Sequence, residues 1–195
     1  APQAAAVATD TGDLRGSILR IRVNGAPLPV DYKVPLDNPF ANGPGTSRPE
    51  VYMYGLRNPW RIAFDAGPDL IYIADVGENR REELNVVSRT AGGTNFGWDV
   101  LEGSYCRRST CEQLSDTTVL PVLEYDHDVG AAIIGGYVYR GQRAPQLHGR
   151  FVYADFEGLI RSVRVQGGVA QDVQEHFPLG ALFQDSENPG WINSF

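Results

Sequence analysis

Two cysteines are the most reactive side chains of the chain. Cys106 and Cys111 have four residues between them and lie in a polar segment rich in Arg, Ser and Thr. That setting does not suit a buried thiol pair, and no nearby histidine or further cysteine completes a zinc site. We therefore expect a Cys106–Cys111 disulfide, with zinc as the weaker alternative. A disulfide indicates an oxidising compartment, periplasmic or extracellular.

Two carboxylates occupy matching places in the sequence. Asp75 ends the tetrapeptide Tyr72-Ile-Ala-Asp75, and Asp155 ends the similar Val152-Tyr-Ala-Asp155. Glycoside hydrolysis needs two carboxyl groups that face each other across a channel. Matching places are also what an internal repeat produces, and we favour that interpretation.

Charge and hydropathy exclude several classes of partner. The net charge is -7, the pI is near 4.9, and Lys33 is the one lysine. Affinity for nucleic acid or anionic membranes comes from clustered Lys and Arg, and here the arginines are scattered among acids. No run approaches the ~20 apolar residues that span a bilayer, and the first residues do not have the pattern of a signal peptide. A neutral small molecule fits this chain better as a partner.

The elements that must position these side chains are short strands. Runs of β-branched and aromatic residues alternate with clusters of Gly, Pro, Asn and Asp, and no window has a sustained 3.6-residue apolar period. The sequence predicts an all-β protein with strands at residues 18–23, 50–54, 61–65, 70–75, 83–88, 119–125, 136–140, 150–154, 159–165 and 169–177.

Internal similarity predicts a repeated unit. The segment 18–25 resembles 160–167, and the two Asp-ending tetrapeptides repeat at a distance close to half that offset. Units of roughly 70 residues with three or four strands are typical of antiparallel propeller blades. Two to three such blades cannot close a ring, so we expect residues 1–195 to form a single incomplete β-propeller domain, a fragment of a longer protein.

Longer motifs occupy the segments 54–65, 71–79, 82–85, 95–98, 135–141 and 149–156. In this order, over residues 14–195, they resemble the glucose/sorbosone dehydrogenases, a family that includes soluble aldose dehydrogenases dependent on pyrroloquinoline quinone. It implies a six-bladed β-propeller, present here as a partial propeller of two to three four-stranded antiparallel blades that lacks the first blades and the last.

The resemblance assigns Arg57 and Asn58 to the quinone cofactor. A guanidinium offers a planar fork of donors to the carboxylates and quinone oxygens of such a cofactor. The alternative is that both residues organise a turn before Pro59, because Asn-Pro favours turns.

The resemblance also implies calcium. It assigns the backbone carbonyls of Gly77 and Glu78 to a Ca²⁺ that bridges protein and quinone, and calcium takes six to eight oxygen ligands. Family oxidoreductases commonly carry proline where Glu78 stands; the substitution departs from that pattern but leaves a backbone carbonyl available. Glu83, with the backbone oxygen near Phe96, matches a second, structural calcium site in some relatives. A solvated carboxylate at the start of a strand is the alternative for Glu83.

Two departures from the family pattern bear on function. The family's histidine general base belongs to an upstream segment, and none of His127, His148 and His176 matches it; of the three, we expect His127 to lie nearest the channel. Sugar-oxidising relatives also place a cofactor-pairing lysine where Phe156 and Glu157 stand.

Two functions therefore compete. The first is part of a dehydrogenase that oxidises an aldose by hydride transfer to the quinone and passes electrons to an external acceptor, with the remaining blades supplying the base and this chain inactive by itself. The second is an extracellular binding module, similar to the hedgehog-interacting-protein-like branch, that recognises protein or carbohydrate. The Glu102-Gly-Ser-Tyr-Cys106 and Glu124-Tyr-Asp-His127 segments resemble that branch.

Overall fold

The computed structural model describes residues 7–23, 32–43, 45–109, 111, 114 and 118–178. Within them the chain is built from short antiparallel strands and one 3₁₀ turn, Pro145–Leu147. The strands are β1 (Ile18–Leu19), β2 (Arg22–Val23), β3 (Tyr32–Lys33), β4 (Val51–Met53), β5 (Pro59–Asp65), β6 (Leu70–Asp75), β7 (Arg81–Ser88), β8 (Leu101–Glu102), β9 (Tyr105–Cys106), β10 (Leu123–Asp126), β11 (Ile133–Val138), β12 (Phe151–Asp155), β13 (Leu159–Gln166) and β14 (Val169–Pro178).

The described residues fall into two compact units. Unit 1 comprises residues 1–57, 90–101 and 106–119, and unit 2 comprises residues 58–89, 102–105 and 120–195, each apart from its undescribed positions. Unit 1 contains the pairs β1–β4 and β2–β3. In the described part of the chain no helix is long and apolar enough to cross a membrane.

Unit 2 contains two four-stranded antiparallel sheets. Their strand orders are β10-β7-β6-β5 and β11-β12-β13-β14. The second sheet is a simple meander, and its last hairpin turns through Gly167 and Gly168, both with positive φ (59° and 78°). Two successive residues with positive φ match the right-handed twist of the flanking strands, and glycine accepts that conformation without steric cost.

The core of unit 2 lies between the two sheets. Tyr72 of β6 stacks on Phe151 of β12 with ring centroids 4.8 Å apart, and Leu84 and Ile133 are fully buried beside them. Arg140 closes the pair of sheets with a two-point ion pair to buried Asp65, at 3.0 Å from Nε and 2.5 Å from Nη2. The two sheets therefore share one hydrophobic core.

Most of the predicted strands are present, and the differences have local causes. The predicted strand 119–125 begins at Leu123, because Pro121 has no N–H to donate to a ladder. The predicted strand 18–23 divides into β1 and β2, because β1 pairs with β4 whereas β2 pairs with β3. The end of the 18–25 repeat lies outside the described residues.

The Asp75 and Asp155 repeat is a true structural equivalence. Both residues end the second strand of a four-stranded sheet, and both are buried. Asp75 accepts the Asn58 N–H at 2.6 Å, and Asp155 accepts the Ala131 N–H at 3.0 Å and the Tyr125 hydroxyl at 2.7 Å. Each carboxylate thus holds the entry to a neighbouring strand, which favours the repeat over a catalytic carboxylate pair.

Candidate functional site

Asn58 lies at the entrance to β5, where its backbone is fixed from two sides. Its N–H donates to Asp75, and its carbonyl accepts the Val76 N–H at 3.1 Å. The Asn58 side chain is exposed and lines a cavity of about 280 Å³. The other lining residues are almost wholly apolar in the surface they present: Trp60, Val76, Ala132, Ile134 and Phe156. Such an apolar cavity suits the face of a flat aromatic ligand.

Arg57 belongs to unit 1, where it lies beside an indole ring. Its guanidinium carbon is 5.7 Å from the centre of the Trp98 ring, and that of Arg107 is 4.1 Å from the same ring. Trp98 is buried, and its backbone N–H donates to the Gly55 carbonyl at 2.9 Å. The segment that carries Arg57 and the segment that carries Trp98 are therefore held together, and two cations lie against one aromatic ring.

The loop between β6 and β7 curls around one buried carboxylate. Oε1 of Glu102 accepts four consecutive backbone N–H groups, from Glu78 and Asn79 at 2.8 Å, Arg80 at 2.9 Å and Arg81 at 3.3 Å. Burial acts to raise the pKa of Glu102, but these hydrogen bonds outweigh burial and lower the pKa, so Glu102 is held as an anion.

Gly77 is required by the same curl. A Cβ atom at Gly77 would overlap the Arg81 carbonyl oxygen and would lie 3.1 Å from Glu102 Oε1. The Gly77 N–H donates to Glu82 Oε1 at 3.2 Å. The two candidate calcium positions, Gly77 and Glu78, therefore lie in a tight cradle with buried carboxylates next to it.

Glu83 follows Glu82 on β7 and is also buried. It accepts the Gly103 N–H at 2.5 Å and the Asn85 amide at 3.2 Å. Burial, reinforced by the neighbouring charge of Asp75, raises the pKa of Glu83. Phe96 is buried in unit 1, where its N–H donates to the Tyr54 carbonyl at 3.0 Å. These are the places of the two residues that the sequence assigns to a second calcium.

Side chains are not gathered as a metal site in the described part of the chain. No group of three or more His, Cys, Asp and Glu residues there is arranged to hold a metal ion.

The three histidines lie in three different settings. His127 Nε2 is 2.9 Å from Oε1 of Glu82, whose pKa is raised by burial and which also accepts the Ile133 N–H. His176 Nε2 is 2.6 Å from the Ser162 hydroxyl, and His148 is exposed after the 3₁₀ turn. His127 also lines a polar cavity of about 320 Å³ with Asn79, Arg80, Asp126 and Asp128.

The predicted disulfide is present. Cys106 and Cys111 are bonded, with Cα atoms 5.7 Å apart. The bond closes the short loop that carries Arg107 and Arg108, and Arg108 forms an ion pair with Asp99 at 2.5 Å.

The sequence does not single out Glu102 or Trp98 as functional residues. Glu102 lies in a segment that resembles the hedgehog-interacting-protein-like branch, and Trp98 lies in a segment that resembles the family as a whole. The available signal for Glu102 was an acidic residue directly before Gly-Ser, the residue types of a tight turn. Nothing in the sequence pairs that turn with the loop 77–81, more than 20 residues away.

Comparison with known proteins identifies relatives along most of the chain. A family model described as glucose/sorbosone dehydrogenase matches residues 2–178. HIPL1 protein and HIPL2 protein of Arabidopsis thaliana are 36% and 38% identical over 74% and 73% of this chain, which covers 24% and 23% of their lengths. Human Hedgehog-interacting protein is 29% identical over 84% of the chain and 21% of its own length.

Solved structures share the fold. A glucose dehydrogenase superimposes with a TM-score of 0.72 at 24% identity, covering 89% of this chain and 47% of that one. The PQQ-bound form of an aldose sugar dehydrogenase from Streptomyces coelicolor gives 0.62 at 25% identity, covering 88% and 42%. The all-β fold of the six-bladed propeller family, present in part, is thus confirmed. The chain spans about a quarter of the length of the curated relatives and less than half of these structures.

Proposed function

The chain belongs to the glucose/sorbosone dehydrogenase family, and we propose from that premise that it supplies part of the site of a sugar dehydrogenase that uses pyrroloquinoline quinone and calcium. The observation that carries the proposal is the cavity beside Asn58. Its apolar walls suit the faces of a flat quinone, and the exposed Asn58 amide beside it would offer a donor and an acceptor to the quinone's edge.

The residues toward the cofactor have distinct tasks. Asn58 holds a fixed position through the Asp75 and Val76 hydrogen bonds and would orient the quinone ring. Arg57 would bind a carboxylate of the cofactor. Phe156 stands in place of the lysine of sugar-oxidising relatives and would contact the quinone ring, but it could not neutralise the cofactor's negative charge. Losing that lysine leaves Arg57 with a larger share of the charge neutralisation.

The carbonyl groups of Gly77 and Glu78 would be ligands of one calcium ion. Glu83 and the Phe96 carbonyl would be ligands of a second calcium ion. The tight loop and the neighbouring buried carboxylates suit a hard cation that prefers oxygen. When bound, the quinone with its calcium acts as the electrophile that accepts hydride from the sugar.

Substrate and partners follow from the same assignment. The substrate would be an aldose or related alcohol, the electrons would leave to an external acceptor, and further blades would complete the ring. The Cys106–Cys111 disulfide supports a location in an oxidising compartment, periplasmic or extracellular.

Calorimetric titration of pyrroloquinoline quinone, with excess calcium, into the protein at its natural length tests the proposal. We expect saturable binding that weakens about tenfold in Asn58→Ala, the effect of losing one good hydrogen bond, and more in Arg57→Ala. Asn42→Ala, at an exposed asparagine of unit 1, is the matched control and should bind like the wild type. Absence of binding in the wild type would reject the cofactor site.

A second candidate function is a binding module that recognises protein or carbohydrate. Sequence identity to the HIPL proteins favours this candidate, because it is higher than the identity to the glucose and aldose sugar dehydrogenase structures. The similarity to human Hedgehog-interacting protein and the presence of Phe156-Glu157 in place of the lysine also favour it. A folded natural-length protein that binds no quinone in the same titration would support this candidate over the dehydrogenase.

A further inference from the structure

The loop between β6 and β7 has an unusual set of hydrogen bonds. Four consecutive N–H groups, from Glu78 to Arg81, converge on one oxygen of Glu102. Successive N–H groups that converge form a concave anion site, and here a side chain of the protein fills it. Glu102 is 1% exposed, so its carboxylate depends on these donors in place of water.

The peptide planes of this loop fix where its carbonyl groups point. In a trans peptide the C=O and the N–H of one plane point in opposite directions. The Glu78 N–H shares its plane with the Gly77 carbonyl, and the Asn79 N–H shares its plane with the Glu78 carbonyl. Because both N–H groups donate to Glu102 at 2.8 Å, both carbonyl oxygens are directed away from Glu102.

The two carbonyl groups fixed in this way are the candidate calcium ligands. An anion at the N–H end of a peptide also polarises the group and makes its carbonyl oxygen more negative. Glu102 therefore acts on Gly77 and Glu78 both by direction and by charge, without contacting a cation itself.

The turn that carries Glu102 is itself anchored by two other carboxylates. The Gly103 N–H donates to Glu83 at 2.5 Å, and the Ser104 N–H and hydroxyl donate to Glu124 at 2.5 and 2.6 Å. The two residues that follow Glu102 in the turn are thus each bonded to a different glutamate. The turn that carries Glu102 therefore has anchors other than the loop that Glu102 organises.

We propose that Glu102 is a positioning residue that sets the Gly77 and Glu78 carbonyl groups as ligands for a divalent cation. This inference rests on the calcium part of the proposed function. It assigns the cation site to the outer side of the 77–81 loop, with Glu102 on the inner side.

Calcium titration of metal-stripped protein at its natural length, without quinone, tests the proposal. Glu102→Gln keeps an acceptor oxygen but removes the charge. We expect this substitution to raise the dissociation constant for calcium at least about tenfold, which means weaker binding. Glu175→Gln, at an exposed glutamate on β14 of the same unit, is the matched control and should leave the constant unchanged.

Circular dichroism and unfolding in chelator separate positioning from mere stability. A purely structural role would lower the unfolding midpoint of Glu102→Gln while the folded variant binds calcium like the wild type, and that result overturns the proposal. If Glu102→Gln does not fold, Glu102→Asp decides, because it keeps the charge but withdraws the carboxylate by one methylene, and it should also bind more weakly. A wild type that binds no calcium would reject the calcium site itself.

Discussion

At the scale of single residues, Trp98 is where several lines of support converge. Its ring is buried, the guanidinium groups of Arg57 and Arg107 lie against it, and its backbone is bonded to Gly55. Trp98→Ala should lower the free energy of unfolding by about 3 kcal/mol or more, through the cavity and the lost cation–π contacts. Urea unfolding followed by circular dichroism measures this loss.

Trp60 offers the comparison for that variant. It is 51% exposed on β5, so Trp60→Ala should cost well under half as much as Trp98→Ala. Equal losses from the two substitutions would contradict the role assigned to Trp98 in holding unit 1 together.

Candidate site residues could be nominated from sequence where they belong to continuous motifs, and their roles stay predictions. Arg57, Asn58, Gly77 and Glu78 are adjacent pairs inside recognisable segments, so a resemblance was enough to nominate them. Glu102 was not predictable, because its significance comes from hydrogen bonds to residues 21 to 24 positions earlier. The turn lies between β8 and β9, which are not in the sheet of β6 and β7, so only the tertiary fold brings that turn and that loop together.

At the scale of elements, the loop closed by the disulfide leads to a prediction about thermal stability. The Cys106–Cys111 bond closes a short loop, and closing such a loop in the unfolded chain is worth about 2 kcal/mol. A reducing agent should therefore lower the thermal midpoint of the wild type. Cys106→Ser/Cys111→Ser should start at the lowered midpoint and should not respond to the reducing agent.

The same bond bears on where the protein works. Thiol alkylation of protein taken directly from its natural source should label neither cysteine if the compartment is oxidising. Full labelling of both cysteines would contradict the periplasmic or extracellular assignment.

Strand positions were predictable because apolar and turn residues alternate regularly along this chain. β6, β12 and β13 lie within a residue of their predicted bounds at every end. Errors occur where backbone hydrogen bonding decides, as at Pro121 and between Leu19 and Arg22, where the pairing partner changes from β4 to β3. Side-chain hydropathy carries no information on which backbone groups pair.

At the scale of the whole molecule, the internal repeat predicted the architecture of unit 2 better than any single strand did. Asp75 and Asp155 occupy equivalent ends of β6 and β12, as the repeated tetrapeptides indicate. The single-domain organisation over residues 1–195 stays a prediction, as does the number of blades that complete the ring. Sequence repeats report the unit that is copied, and they do not report how many copies a working protein needs.

The remaining prediction concerns activity. None of the three histidines matches the family's general base; His127 is tied to buried Glu82, and His176 to Ser162. We therefore expect the 195-residue chain, supplied with pyrroloquinoline quinone and calcium, to reduce no dye acceptor in the presence of an aldose. The same assay on a natural-length protein that contains the family's histidine should give turnover. Turnover by the 195-residue chain would mean that a base within it serves, and His127→Ala would then identify it. Absence of turnover in both proteins would favour the binding module.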